Sequence, residues 1–259
     1  MVQVKVMTFE NITGHKKIKD QLKNLIENDK LSHAYIFSGE DGIGKTTVAK
    51  VWAEMITKGS FADVKEITND NYKDEIKSTS KSKALSVDTV RAAAKDMYLK
   101  PYMAEKRVFI IPDGDTMTIP AQNALLKVFE EPPEYCVIII IANNYEALLP
   151  TIRSRAIPIK FSVLADSEVE SYLKNKGYSP SSTLVSLAGG SISRGLELVS
   201  NEEVNEIINS IFKLLPGVLN NKTSSKYDMI AFLQKNKGNI HLILDIFLLF
   251  FEQSFHNLV

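Results

Sequence analysis

Cysteine is nearly missing from this 259-residue chain, with Cys136 alone. A disulfide within the chain and a cysteine zinc cluster are therefore excluded. Net charge is missing too, because 31 Lys and Arg balance 31 Asp and Glu. A protein that grips nucleic acid by bulk charge carries a basic excess, so any DNA contact is expected to be local or delegated to a partner. No apolar run approaches the ~20 residues that cross a bilayer; the richest are 137–142 and 240–251. The first ten residues lack the basic region, apolar stretch and small-residue cleavage site of a secretory leader. These absences point to a soluble, cytoplasmic protein without a membrane partner.

What is present is ordinary for a globular chain, 44% hydrophobic and 24% charged, which excludes disorder. The first half alternates short β-branched runs with helical spacing. Residues 34–38, 107–111, 137–142 and 156–161 read as strands, and continuous apolar runs of this kind suit a parallel sheet covered on both faces. Helical patterns cover 18–27, 46–56, 87–95 and 121–130, so a three-layer α/β domain is expected. Residues 57–85 break the pattern: Lys73, Lys77, Lys81 and Lys83 interleave with Ser78, Ser80 and Ser82, while Asp70, Asp74 and Glu75 nearly cancel the charge. A solvated loop fits this better than a DNA-contact patch. After residue 161 the strands stop. Short helices are expected over 166–176, 181–188 and 192–200, then over 203–215, 227–234 and 240–255. The last is apolar nearly all round and has to be buried, by its own chain or another.

The strongest motif is Gly39-Glu40-Asp41-Gly42-Ile43-Gly44-Lys45-Thr46, which fits G-x-x-x-x-G-K-[ST] between a strand and a helix. A phosphate chain needs backbone N–H groups converging on one concavity. Gly39, Gly42 and Gly44 permit that through positive φ, and the helix that follows adds its dipole. Lys45 reaches the β- and γ-phosphates in such a loop, the Thr46 hydroxyl holds Mg²⁺, and Thr47 continues the first turn. ATP or ADP with Mg²⁺ is therefore the expected ligand set. Binding does not imply hydrolysis.

Hydrolysing P-loop proteins hold Mg²⁺ with an acid at the end of a neighbouring strand. After 107–111 the chain instead reads Pro112-Asp113-Gly114-Asp115. Pro112 stands where the metal-organising Asp belongs and supplies neither carboxylate nor N–H. Asp113 takes the place of the catalytic Glu, one methylene shorter, and Asp115 suits a structural acid in the turn. The site is degenerate, and the expectation is nucleotide binding with weak or no turnover.

Asn123-Ala124-Leu125-Leu126-Lys127-Val128-Phe129-Glu130-Glu131-Pro132-Pro133 resembles the long signature of clamp-loader AAA+ subunits. Thr151-Ile152-Arg153-Ser154-Arg155-Ala156 resembles their Ser-Arg-Cys motif, with Ala156 in place of cysteine. Ile12-Thr13-Gly14-His15 and Ser32-His33-Ala34-Tyr35-Ile36-Phe37-Ser38-Gly39 are similar to the family's N-terminal box and to the lead-in to its phosphate loop. The resemblance runs from about residue 8 to about residue 200. Within that family the broken acidic motif is most similar to the delta-prime branch of bacterial DNA polymerase III. The resemblance implies an intact acidic pair in the gamma/tau ATPases, which this chain lacks; the four-cysteine zinc module of gamma/tau, often carried by delta-prime subunits too, is absent from residues 56–63 and does not separate the branches.

The resemblance implies an AAA+ P-loop domain over 1–163, a small helical lid over 164–202 and a short all-helical collar over 203–259. It implies that Arg155 is an arginine finger acting on a neighbouring subunit's γ-phosphate, with Arg153 a second candidate. The bland alternative for Arg155 is a salt bridge within the sheet domain. Asn144 matches the first sensor and Arg194 the second, acting either as nucleotide sensors or as structure. His15 and His33 suit capping or adenine-side packing better than catalysis. Glu130 and Glu131 suit the end of a helix at Pro132-Pro133 better than coupling to DNA. The implied work is that of a stator in the DNA polymerase III holoenzyme, a nucleotidyltransferase complex in which this chain does not itself polymerise. Its partners would be gamma/tau and delta subunits in a hetero-pentameric ring, the sliding clamp and, indirectly, primer–template DNA. The alternatives are an ATP-hydrolysing gamma/tau-like subunit, a stand-alone AAA+ ATPase and, further off, a small-molecule P-loop kinase. The collar segment is shorter than the family's usual one, as in a short member or a truncated chain.

Overall fold

Runs of β-branched residues become strands of one parallel sheet in the computed structural model, which describes residues 7–73 and 84–256 apart from the side chains of 249 and 252–256. The strands are β1 (Ala34–Ser38), β2 (Val64–Glu66), β3 (Arg107–Ile111), β4 (Cys136–Ala142) and β5 (Ile157–Lys160), in the order β2-β3-β4-β1-β5. All ladders are parallel, with Ile36 opposite Ile140 and Pro158, and Phe109 opposite Ile138. The three-layer expectation holds, with one more strand than the pattern indicated. Only three residues long at the sheet edge, β2 lacks the apolar run that marks its neighbours.

The sheet belongs to the first of two compact units, Met1–Val163; the second is Leu164–Val259. Side chains alternate across a strand, so each strand feeds two cores. Tyr35, Phe37, Val108, Ile110, Ile139 and Ile141 pack toward α1 (Lys16–Glu27) and α2 (Lys45–Ile56). Ile36, Phe109, Ile111, Ile138 and Ile140 pack toward α3 (Val87–Asp96) and α4 (Ile119–Glu130). Trp52, fully buried, donates from Nε1 to the Leu22 carbonyl at 3.1 Å and meets the Tyr35 ring edge-on at 4.7 Å. Of the loop expected over 57–85, residues 74–83 lie outside the described residues, and the described part is not simply solvated: it contains β2 and buried Asp63, Ile67 and Tyr72, while Lys73 is exposed.

Two buried acids tie down what the strands leave loose. Asp96, at the end of α3, pairs with Arg107 at 2.9 Å and Lys65 at 2.7 Å and accepts from the Tyr72 hydroxyl at 3.0 Å. Asp63 accepts from Ser60 Oγ at 2.6 Å and from the backbone N–H groups of Tyr102, Met103 and Ala104 at 2.6, 3.0 and 2.9 Å. Those four hydrogen bonds outweigh the opposing burial and pull its carboxyl down to about 2.

The second unit is helical: α6 (Asp166–Asn175), α7 (Ser182–Leu187), α8 (Ile192–Ser200), α9 (Glu202–Leu219), α10 (Thr223–Lys235) and α11 (Ile240–His256), with the four-residue α5 (Pro150–Arg153) preceding them in the first unit. The segments expected as lid and collar share one core, in which Val169, Leu184, Ile207, Ile211, Ile243 and Ile246 meet. One expectation needs correction. Helix α9 does not stop before Pro216 but runs through it to Leu219. Buried Ile211 and Leu215 hold the helix on the core against the backbone hydrogen bond that the ring removes. Helix α11 covers Ile243 and Ile246 within its own unit, whereas Leu244, Leu248 and Phe251 are about half exposed and form the part of its apolar face left for another chain to bury. Among the described residues no helix is long and apolar enough to cross a membrane.

Candidate nucleotide site and arginine motif

The carboxyl ends of β1, β3 and β4 lie side by side and carry the phosphate loop, the Pro112–Asp115 turn and the Asn143-Asn144 pair. Gly39, Gly42 and Gly44 have φ of 149°, 72° and 102°. At Gly39 a Cβ would also lie 2.5 Å from the Phe161 carbonyl oxygen, so glycine alone fits. Helix α2 starts at Lys45 with no side-chain cap on its first N–H groups, and Thr46 and Thr47 stand exposed on that turn. Free amides at a helix N-terminus next to a glycine loop form an anion cradle.

Lys45 is 4% exposed. Its ammonium donates to the Gly39 carbonyl at 2.8 Å, to the Glu40 carbonyl and to Asn143 Oδ1 at 2.9 Å. Three donors thus meet three protein acceptors. Burial pulls this lysine's pKa down, and Asp41, Asp115, Asp113 and Glu40 pull it back up. Asn143, which sequence reasoning missed, is therefore the amide that reaches the loop. Asn144, expected there, turns away and caps the following 3-10 turn through Glu146 N at 3.0 Å. Asp115 fixes the backbone of both: its Oδ2 accepts from the N–H groups of Asn143 at 3.0 Å and Asn144 at 2.8 Å. That role is the structural one expected for Asp115.

Pro112 ends β3 without an oxygen-bearing side chain, and Asp113, exposed with φ 50°, accepts through its carbonyl from Thr116. At Gly114 a Cβ would lie 2.3 Å from Ile140 Cγ2, so the turn is pressed onto β4. Among the described residues no three His, Cys, Asp or Glu side chains cluster as metal ligands. His15 caps nothing with its side chain. Instead Nε2, which carries the proton because its partner only accepts, donates to the Ile43 carbonyl at 2.8 Å. Its ring stands edge-on to Phe161 at 4.9 Å, so it braces the loop from behind. His33 lies at the amino end of β1, remote from the loop, where burial lowers its pKa.

The two arginines of the Ser-Arg motif differ. Arg153, at the end of α5, ion-pairs with Glu146 and lies over the Tyr145 ring at 5.2 Å. Arg155 is more open. One Nη donates to the Thr151 carbonyl at 3.1 Å and the other to Glu130 Oε1 at 3.2 Å. The bland alternative, an ion pair inside the sheet unit, is thus physically present. In the second unit Arg194 pairs with Asp245 of α11 at 2.8 Å.

The family model described as "DNA polymerase III, delta subunit" matches residues 14–165, more than half of the chain. The chain belongs to that family. Among curated relatives, DNA polymerase III subunit tau of Bacillus subtilis is 35% identical over 156 residues, covering 57% of this chain and 28% of the relative. The tau/gamma subunit of Haemophilus influenzae is 29% identical over 64% of this chain and 25% of its own length. The chain therefore spans about a quarter of the length of these two relatives. Among solved structures, a DNA polymerase III gamma subunit-related protein from Thermotoga maritima aligns with a TM-score of 0.51 at 24% identity, over 77% of this chain and 67% of that one. The RuvB Holliday junction branch migration motor of the same organism aligns at 0.52 and 14% identity, over 81% and 66%. At those identities the likeness concerns fold, and the fold of the family member is the AAA+ P-loop architecture followed by a helical region.

In this chain the phosphate loop was readable because it is one local backbone motif. Asn143 had no such signal: two adjacent asparagines follow one strand, and only the bond from Lys45, 98 residues earlier, shows which side chain faces the loop. Glu130 as partner of Arg155 was equally hidden, because 25 residues separate them.

Proposed function

We propose that this chain is a delta-prime-like stator of a DNA polymerase III clamp loader, weakly hydrolytic or non-hydrolytic, which donates Arg155 to the ATP site of the adjacent subunit. The observation that carries this reading is Pro112 at the end of β3, where a hydrolysing P-loop site needs a metal-holding carboxylate. Nucleotide phosphates fit the Gly39–Lys45 cradle, since Gly39, Gly42 and Gly44 take the positive φ that shapes it, nothing lies within 4 Å of a Cβ at Gly44, and α2 offers uncapped N–H groups. Bound there, a triphosphate would bring its own charge and Mg²⁺ to Thr46. This chain would hold it with the Gly42, Gly44 and Lys45 amides and with a Lys45 ammonium released from its own carbonyls. No second protein oxygen at Pro112 would orient the metal. Sensing by Arg194 and the lid-and-collar division at residue 202 belong to the same proposal.

The working group is then Arg155. A guanidinium is permanently charged and planar, so it can grip two phosphoryl oxygens as charge develops. A finger supplied in trans is worth 10³–10⁵ in rate in the best-studied cases. Arg153 cannot serve, because Glu146 and Tyr145 hold it on its own unit. The partners proposed are gamma/tau and delta subunits in a mixed ring, the sliding clamp and, through them, primed DNA, all in the cytoplasm. Half-exposed Leu244, Leu248 and Phe251 on α11 offer apolar surface to such a ring.

Arg155→Ala in the reconstituted loader should lower clamp-dependent ATPase at least tenfold, while Arg153→Ala acts through stability. An unchanged rate for Arg155→Ala ends the reading. A second reading, a gamma/tau-like ATPase, is favoured by the names of the curated relatives. Its signature is brisk turnover by the purified chain with Mg²⁺ and DNA, abolished by Lys45→Ala.

A further inference from the structure

Glu130 occupies a place that helix energetics do not favour. It is the last residue of α4, and Glu131 is the C-cap. The carbonyl end of a helix carries a partial negative charge, so acids there repel it and cations suit it. Two adjacent carboxylates at that end create a negative spot on the surface, and the guanidinium drawn to it is Arg155, reaching over from the turn after α5.

The geometry of the contact is that of a hold meant to be broken. One Nη meets one Oε at 3.2 Å, longer than the 2.7–2.9 Å of a strong charge-assisted bond. It is single rather than bidentate. Both side chains remain open to water, at 37% and 54% exposure. The second anchor, the Thr151 carbonyl, is neutral. Arg153, two residues earlier, shows the opposite design, with its side chain only 22% exposed and an aromatic ring beneath it. A terminal phosphate offers more charge and several oxygens to the same fork, so it out-competes a lone carboxylate.

We propose that Glu130 is a latch for Arg155: the carboxylate holds the guanidinium on its own subunit until a neighbour presents a triphosphate, and the exchange of partners makes finger insertion depend on the neighbour's nucleotide. The inference rests on the reading of Arg155 as a finger. Glu130 acts through Arg155 and touches no reacting atom, so it is a positioning residue. An exposed ion pair of this class biases an equilibrium up to about fivefold, which sets the size of the effect.

The experiment uses the full chain assembled with its loader subunits and reads ATPase without clamp or DNA. Glu130→Gln keeps the side chain's shape and removes its charge; it should raise that basal rate about two- to fivefold, and Glu130→Asp should keep it low. In an Arg155→Ala background Glu130→Gln should have no further effect, which ties the rise to this pair; the rise itself is what a purely structural ion pair would not produce, since its loss would leave or lower the rate. Trp52 emission during urea unfolding checks that each variant is folded. If Arg155→Ala lowers the clamp-stimulated rate but Glu130→Gln leaves the basal rate unchanged, the latch is refuted and the finger stands. If Arg155→Ala changes nothing, the finger fails and the latch falls with it.

Discussion

Replacing Asp63 by Asn removes one charge and almost no volume. In the native protein Oδ2 accepts from Ser60, Met103 and Ala104 while Oδ1 accepts from Tyr102. An amide has one oxygen, so one of those N–H groups must face an NH₂. The carboxyl is fully buried and drops from an ordinary 3.8 to about 2, a difference worth roughly 2 kcal/mol of folding free energy. The sign follows from the direction of the shift. A carboxyl whose folded pKa is depressed stabilises the protein above its unfolded value, and that stabilisation disappears as pH falls through the folded one. Roughly half is gone by pH 3 and nearly all below pH 2. Urea unfolding followed by Trp52 emission reads the first unit, where that single tryptophan is buried. Asp63→Asn should lower the midpoint by about 1 M at pH 7, with the gap to the parent shrinking by about half at pH 3. A gap at neutral pH below about 0.5 kcal/mol, or one that does not narrow on acidification, would show that the carboxylate is not what holds the 102–104 turn.

Asn143→Ala should cost about 1–2 kcal/mol by stripping an acceptor from a buried ammonium, whereas Asn144→Ala should cost only a cap, about 0.5–1 kcal/mol. Parallel urea titrations of the two variants decide it. Gly39→Ala should abolish binding of a fluorescent nucleotide analogue and destabilise the first unit, because its Cβ meets the Phe161 carbonyl at 2.5 Å; retained affinity would contradict the observed loop. Burial pushes the Cys136 thiol up to about 12. The protein should therefore be inert to a chromogenic disulfide at pH 8 and react with one equivalent once unfolded; rapid native labelling would disprove the burial.

Strands were legible where the sheet covers both faces. β1, β3 and β4 appear as unbroken apolar runs because each residue faces one core or the other. At the sheet edge, β2 contributes Val64, Lys65 and Glu66, all half-buried, and nothing in that triplet announces a strand. Helix α4 starts at Ile119 rather than 121, with Thr118 capping and Pro120 in the first turn, a start signal that was present to be read. The end of α9 misled because proline is a helix breaker only where packing does not override it. The site divides along the same line. Its glycines and lysine are contiguous in the chain, whereas Asn143, which holds Lys45, lies 98 residues away, and Asp115, which holds the Asn143 backbone, lies 28 residues from Asn143. Such pairings are products of topology, and no window along the chain contains them.

The self-sufficiency of Lys45 carries a last consequence. An ammonium whose three protons already rest on the oxygens of Gly39, Glu40 and Asn143 keeps its loop shaped by the chain's own contacts. A phosphate chain that claims this lysine has to displace those oxygens, so capture there is an exchange of partners and its affinity is lowered by the bonds it replaces.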